Sequence, residues 1–333
     1  MLHILGMGWS LPDTEITNDF LHKEVGLQRG PAWVASRLGI ERRRSILSKD
    51  YILKTKNRDP EQAVLHAKSR GWTPAVLGAA AAREAIRNAG IKASDVGWVI
   101  ANNDIPFDLV PNTASLIAKE LGASGGPHCD INSACPSFAL HMKVLDDARP
   151  EGLPEFVLCV QISAYTTRTD YSPSSIDGYI FGDGAAAQVV SARHAGRLQV
   201  EPLIFETKAS GADEITMAST GHFSQNGAAV REFSIRKTCE IFETIAEKKG
   251  LFAEDCWTVA HQANHVMQES ILGHLGLPAA RHLRNVREQG NTAAAGCPSA
   301  LAQGLDLLHS GDEIVYGVVG AGLAWGGGYM KVL

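Results

Sequence analysis

Ser133-Ala134-Cys135-Pro136-Ser137 opens an apolar-periodic segment, and 162 residues later Ala295-Gly296-Cys297-Pro298-Ser299 does the same. A second pair keeps the same order and nearly the same spacing. Gly90-Ile91-Lys92-Ala93-Ser94-Asp95 leads into the apolar run Val96 to Ile100, and Gly250-Leu251-Phe252-Ala253-Glu254-Asp255 leads into Cys256 to Ala260. Further apolar runs follow each cysteine motif, Phe156 to Ile162 and Ile314 to Val319. Matched spacings in one order indicate a duplicated supersecondary unit, so both halves are expected to share one architecture.

Working outward, helical and strand patterns alternate. Pro74 to Ala89 is rich in helix formers and stops at Gly90, feeding a strand at Val96 to Ala101. In the second half Arg231 to Lys249 reads as a helix, Trp257 to Ala260 as a strand and Val266 to Leu275 as a helix. Alternation of helices with continuous apolar strands gives an α/β class. Two such halves packed through their helices give a layered α-β-α-β-α arrangement, with central helices beginning near Cys135 and Cys297. The expected domains are 1–190 and 191–333. Residues 47–72 are polar and weakly periodic, and read as a surface insertion.

Composition excludes several classes. The 333 residues are 45% hydrophobic and 20% charged, with a formal net charge of −5, a globular balance with no basic stripe for nucleic acid. No apolar stretch reaches the ~20 residues of a membrane span, and the expected location is cytoplasmic. The six cysteines lack C-x-x-C spacing, so neither zinc nor a disulfide framework is expected. Arg42-Arg43-Arg44 reads as a solvated face.

Chemistry enters at strand ends. Cys135 lies at a strand-to-helix junction, where free backbone N–H groups favour a thiolate, and Cys297 fits the same local pattern. His261-Gln262-Ala263-Asn264 follows a buried strand, and Asn291 precedes a helix of small residues. A thiol acting on an acyl group needs such an imidazole and donors for the developing oxyanion.

SACPSF at 133–138, HQAN at 261–264 and GNTAAAG at 290–296 together resemble the thiolase superfamily, specifically the β-ketoacyl-acyl carrier protein synthase III family. WVASRLGIERR at 33–43, YIFGDGAAA at 179–187 and GAGLAWGGG at 320–328 extend the likeness over nearly the whole chain. The resemblance implies a thiolase-like fold and an acyltransferase that joins an acyl-CoA primer to a malonyl thioester by decarboxylative Claisen condensation. It implies Cys135 as nucleophile, His261 and Asn291 as its partners, and Cys135 and Ala321 as oxyanion donors. Cys297 becomes a packing residue. Trp33, Arg37 and Arg168 match coenzyme A contacts, Asp183 takes no catalytic role, and FGDGAAA is a structural turn packing near the nucleophile. No metal or cofactor is implied beyond coenzyme A thioesters as substrates, and the protein is expected to be a homodimer.

Departures qualify the likeness. Val266 stands where the family has an arginine for docking acyl carrier protein, which leaves that partner and the carrier of the malonyl group open. Val110 replaces an aromatic residue that crosses to the dimer mate and shortens its acyl pocket, so a medium or long acyl primer is expected. Head-to-head joining of acyl chains, acyl transfer to an oxygen or nitrogen acceptor, and a silent carrier-binding subunit are the alternatives. The tail GAGLAWGGGYMKVL lacks the second reactive cysteine of degradative thiolases.

Overall fold

A computed structural model describes residues 1–123, 125–251 and 255–333. The second copy of the Gly-x-x-Ala motif therefore falls partly on residues 252–254, outside the described residues. Ten strands form the main sheet. The first half supplies β1 (Leu2–Ser10), β2 (Trp98–Asn103), β3 (His128–Asp130), β4 (Val157–Ser163) and β5 (Gly184–Ser191). The second half supplies β6 (Leu198–Thr207), β7 (Trp257–Ala260), β8 (His282–Leu283), β9 (Glu313–Gly320) and β10 (Ala324–Val332). Their spatial orders are β3-β2-β4-β5-β1 and β8-β7-β9-β10-β6. Rank for rank these are the same topology, the structural form of the repeat seen in the sequence. Both sets join where β1 and β6 pair antiparallel from Leu2↔Val200 to Ile4↔Leu198.

Helices complete five layers. The outer face of the first five strands is covered by α4 (Pro74–Ala89) and α5 (Thr113–Leu121), and that of the second five by α7 (Gly227–Lys249) and α8 (His265–Leu275). Between the two sets lie α6 (Ser137–Asp147) and, after the short α9 (Val286–Gln289), α10 (Ala293–Gly304); α6 and α10 touch each other and pack on strands of both halves. Buried Phe138, Met142, Cys297, Leu301 and Tyr316 tie this middle layer together. No described helix is long and apolar enough to cross a membrane.

Four readings need correction. First, α10 begins at Ala293, so Cys297 lies inside the helix, fully buried among apolar neighbours. Second, FGDGAAA is more than a turn: its glycine and alanines open β5, a fully buried strand. The glycine-rich tail likewise forms β10, where a Cβ on Gly326 would stand 2.8 Å from Ala139 of α6. Small residues are what let the middle helix approach.

Third, residues 47–72 are integral. They form α2 (Lys49–Thr55) and α3 (Pro60–Ser69), which bury Ile52, Ala63 and Ala67. Asn57, at φ 49° between them, donates to the carbonyls of Thr166, Thr167 and Thr169 at 3.2, 3.0 and 2.9 Å. Fourth, Arg43 is fully buried. It donates to Asn18 Oδ1 at 2.8 Å and Tyr179 O at 2.6 Å, whereas only Arg42 and Arg44 reach the surface to pair with Glu15.

Candidate active site

The chain leaves β3 at Asp130 and turns sharply before α6. Ala134 takes φ 51°, a left-handed conformation that is uncommon for a residue with a Cβ. Local bonds hold it there. Asn132 Oδ1 accepts from the Ala134 N–H at 3.0 Å, while Ser137 Oγ accepts from Ser133 N at 2.8 Å and donates to Ala134 O at 2.7 Å. Cys135 follows immediately, with Pro136 as the cap of α6. A turn so over-determined presents the thiol at a fixed place, an arrangement common at functional positions.

Two further side chains come from the other half. His261 directly follows β7, its backbone N–H donating to Gly317 O at 2.9 Å. Its ring is buried and Nδ1 has no hydrogen-bond partner among the described residues. Burial pushes the imidazole pKa down to about 4, so the ring is neutral at pH 7. Asn291 is held by backbone bonds to Ile180 O and from Gly182 N, at 2.9 and 3.0 Å. Its Oδ1 accepts from Ala293 N at 2.8 Å, which uses the oxygen end of the amide within the chain.

Cys135, His261 and Asn291 meet around one cavity of about 240 Å³, together with Gly320, Ala321 and Arg37. Trp33, Arg168 and Val110 do not line it. Trp33 is half-buried on α1 (Pro31–Arg37), with the Arg29 guanidinium 5.1 Å from its ring centroid. Arg168 is buried with Nη1 unpartnered among the described residues, its pKa lowered by burial against a smaller opposing effect of Glu61. Val110 is 82% exposed.

One electrostatic expectation is reversed. Burial first, and the Asp104 carboxylate second, raise the Cys135 pKa, outweighing the lowering by its own backbone N–H. The resting group is a thiol that shares its cavity with a neutral imidazole, because desolvation in this enclosed site exceeds what a few backbone dipoles return. Sequence reading placed Phe181 near the nucleophile but missed Tyr165, Phe223 and Arg231, which share the cavity wall with it. Tyr165 was open to the same strand-end reasoning as His261, since it lies two residues beyond β4.

Comparisons with known proteins agree with this geometry. The profile described as 3-oxoacyl-[acyl-carrier-protein (ACP)] synthase III matches residues 129–209, and that of its C-terminal part matches 246–332, together about half the chain. β-Ketoacyl-[acyl-carrier-protein] synthase III of Bacillus pumilus is 29% identical over 328 residues, covering 97% of this chain and 96% of the relative. The synthase of the same name from Coxiella burnetii (strain CbuK_Q154) is 29% identical over 344 residues, covering 99% and 98%. The crystal structure of 3-oxoacyl-[acyl-carrier-protein] synthase III from Aquifex aeolicus superposes with a TM-score of 0.85 at 25% identity, covering 99% of this chain and 100% of that one. With its duplicated five-strand topology and a cysteine, histidine and asparagine drawn from both halves into one cavity, the chain belongs to the 3-oxoacyl-[acyl-carrier-protein] synthase III family of condensing enzymes.

Proposed function

We propose that this enzyme condenses an acyl-CoA primer with a malonyl thioester to give a β-ketoacyl thioester, through an acyl group carried on Cys135. The observation that supports it most is the convergence of Cys135, His261 and Asn291 on one cavity. Cys135 Sγ attacks the thioester carbonyl, its proton passes to neutral His261, and coenzyme A departs as the thiol after taking that proton. The backbone N–H groups of Cys135 and Ala321 hold the tetrahedral oxyanion. A malonyl thioester then binds with its carbonyl oxygen facing His261 and the Asn291 amide. Its carbon–carboxylate bond breaks, releasing carbon dioxide and leaving an enolate that these two donors stabilise. The enolate carbon attacks the acyl carbonyl, the carbon–sulfur bond breaks, and the Cys135 thiolate takes up one proton from solvent to restore the thiol.

The domains 1–190 and 191–333 supply the nucleophile and the two donors respectively. Arg37 at the cavity mouth and nearby Trp33 receive the nucleotide end of coenzyme A. Exposed Val110 leaves room in the partner's acyl pocket of a homodimer for a medium or long chain, each buried methylene contributing about 0.8 kcal/mol. Val266, half-buried on α8, stands in place of a docking arginine, and the malonyl group arrives as a thioester of coenzyme A or of acyl carrier protein. Intact-protein mass spectrometry after incubation with acetyl-, octanoyl- and palmitoyl-CoA tests the reading. An acyl adduct that disappears in Cys135→Ala and persists in Asn291→Ala is expected. Absence of an adduct with every donor would overturn the assignment.

A further inference from the structure

Three aromatic rings that the condensation itself does not need line the cavity beside Cys135. Tyr165 and Phe181 stack with centroids 4.9 Å apart and planes 24° apart. Phe223 meets Phe181 edge-on at 4.6 Å and Tyr165 at 5.9 Å. They come from three separate segments: the turn Tyr165–Arg168, the approach to β5, and the short hairpin of Ile215–Met217 with Phe223–Gln225. Tyr165 is anchored at its polar end, where Oη donates to Asp104 Oδ2 at 2.9 Å and Asn102 Nδ2 donates to Asp104 Oδ1 at 3.2 Å. Its hydroxyl is satisfied without any substrate.

That anchor has a cost. The Asp104 carboxylate is itself desolvated, and its charge opposes formation of the Cys135 thiolate. Aliphatic side chains would line the wall without this penalty and would serve a saturated chain equally well. Interlocked rings differ in being flat and rigid, and they reward a planar π system through stacking geometry as well as area.

We propose that this wall makes the enzyme selective for acyl groups that are planar next to the thioester, aryl or conjugated dienoyl, over saturated ones. The inference rests on the acyl-cysteine reading and deepens its primer class; chain length is a separate property of the Val110 region.

The test uses two donors of one length, octanoyl-CoA and 2,4-octadienoyl-CoA, with acylation rates read by intact mass. Each rate is divided by the rate at which the same donor exchanges with a small free thiol, which removes intrinsic electrophilicity. The corrected preference of the wild type for the dienoyl donor is expected to be about three- to tenfold. It should fall toward unity in Phe223→Leu and in Tyr165→Leu, with a cooperative thermal melt as the check on folding. A corrected ratio at or below one in the wild type overturns the inference while leaving the acyl-cysteine intact, and needs no variant. An unchanged ratio in both leucine variants also overturns it. An enzyme acylated by neither donor overturns the acyl-cysteine reading and this inference with it.

Discussion

Gly320 lies against Cys135 so closely that a Cβ at 320 would stand 2.9 Å from Cys135 Cβ and 2.6 Å from Pro136 Cδ. The end of β9 and the start of α6 therefore meet across a gap that only hydrogen fills, and this contact sets Ala321 relative to the sulfur. Gly320→Ala is expected to push the two apart by a few tenths of an ångström or more. Because oxyanion stabilisation depends on donor geometry, acylation should slow by about 10²-fold. Stopped-flow acylation with octanoyl-CoA, beside a thermal melt showing a folded protein, checks this. A variant acylating at the wild-type rate would refute the geometric argument.

The neutral state of His261 makes a prediction about pH. Its pKa is pushed down from the ordinary histidine range to about 4 by burial. The neutral form, the proton acceptor of the proposed mechanism, is thus present above that value and is lost as pH falls through it. Acylation should be level between pH 8 and pH 5 and decline only near pH 4. An acid limb centred at about 6.5, the value of a solvated imidazole, would mean that the ring is solvated in the working enzyme.

The duplication was legible because periodicity survives divergence, but its register was not. Cys135-Pro136-Ser137 and Cys297-Pro298-Ser299 look equivalent. In the structure the two left-handed alanines, Ala134 and Ala293, mark the equivalent turns. Ala294 stands where Cys135 does, and Cys297 is three residues further along its helix. Motif identity thus misaligned the halves by about one helical turn. Strands β5 and β10 were hidden for a related reason: glycine and alanine carry no alternation of apolar and polar faces. The aromatic wall was invisible because its rings lie on three segments that only tertiary packing brings together. Cys135, His261 and Asn291 stood out because each sits where a regular element starts or stops.

Arg43 illustrates a charge that composition assigns to the surface and packing assigns to the core. Its guanidinium bridges Asn18 Oδ1, Tyr179 O and, at 3.4 Å, Ile16 O. Burial lowers its pKa to about 10, which still leaves it charged at pH 7. Arg43→Ala should destabilise the protein by about 3 kcal/mol, because buried acceptors lose their donor. Arg43→Lys should recover little, since one ammonium cannot reproduce the planar fork. Chemical denaturation of both variants measures the difference, and equal stability of Arg43→Lys and wild type would contradict it.

Asn57 connects the α2–α3 pair to the cavity wall. Its amide holds the carbonyls of Thr166, Thr167 and Thr169, in the turn that also carries Tyr165. Residues 47–72 act on this reading as a buttress for the aromatic side of the site. Asn57→Ala removes those donors and places alanine at a positive φ, costing about 2 kcal/mol or more. It should also raise the KM for acyl-CoA more than it lowers kcat, because the wall shifts while Cys135 and His261 stay in place. A lid would behave differently: protease would cut within 49–69 of the native enzyme, and acyl-CoA would protect. Limited proteolysis decides between them, with a resistant segment and no ligand effect expected for a buttress.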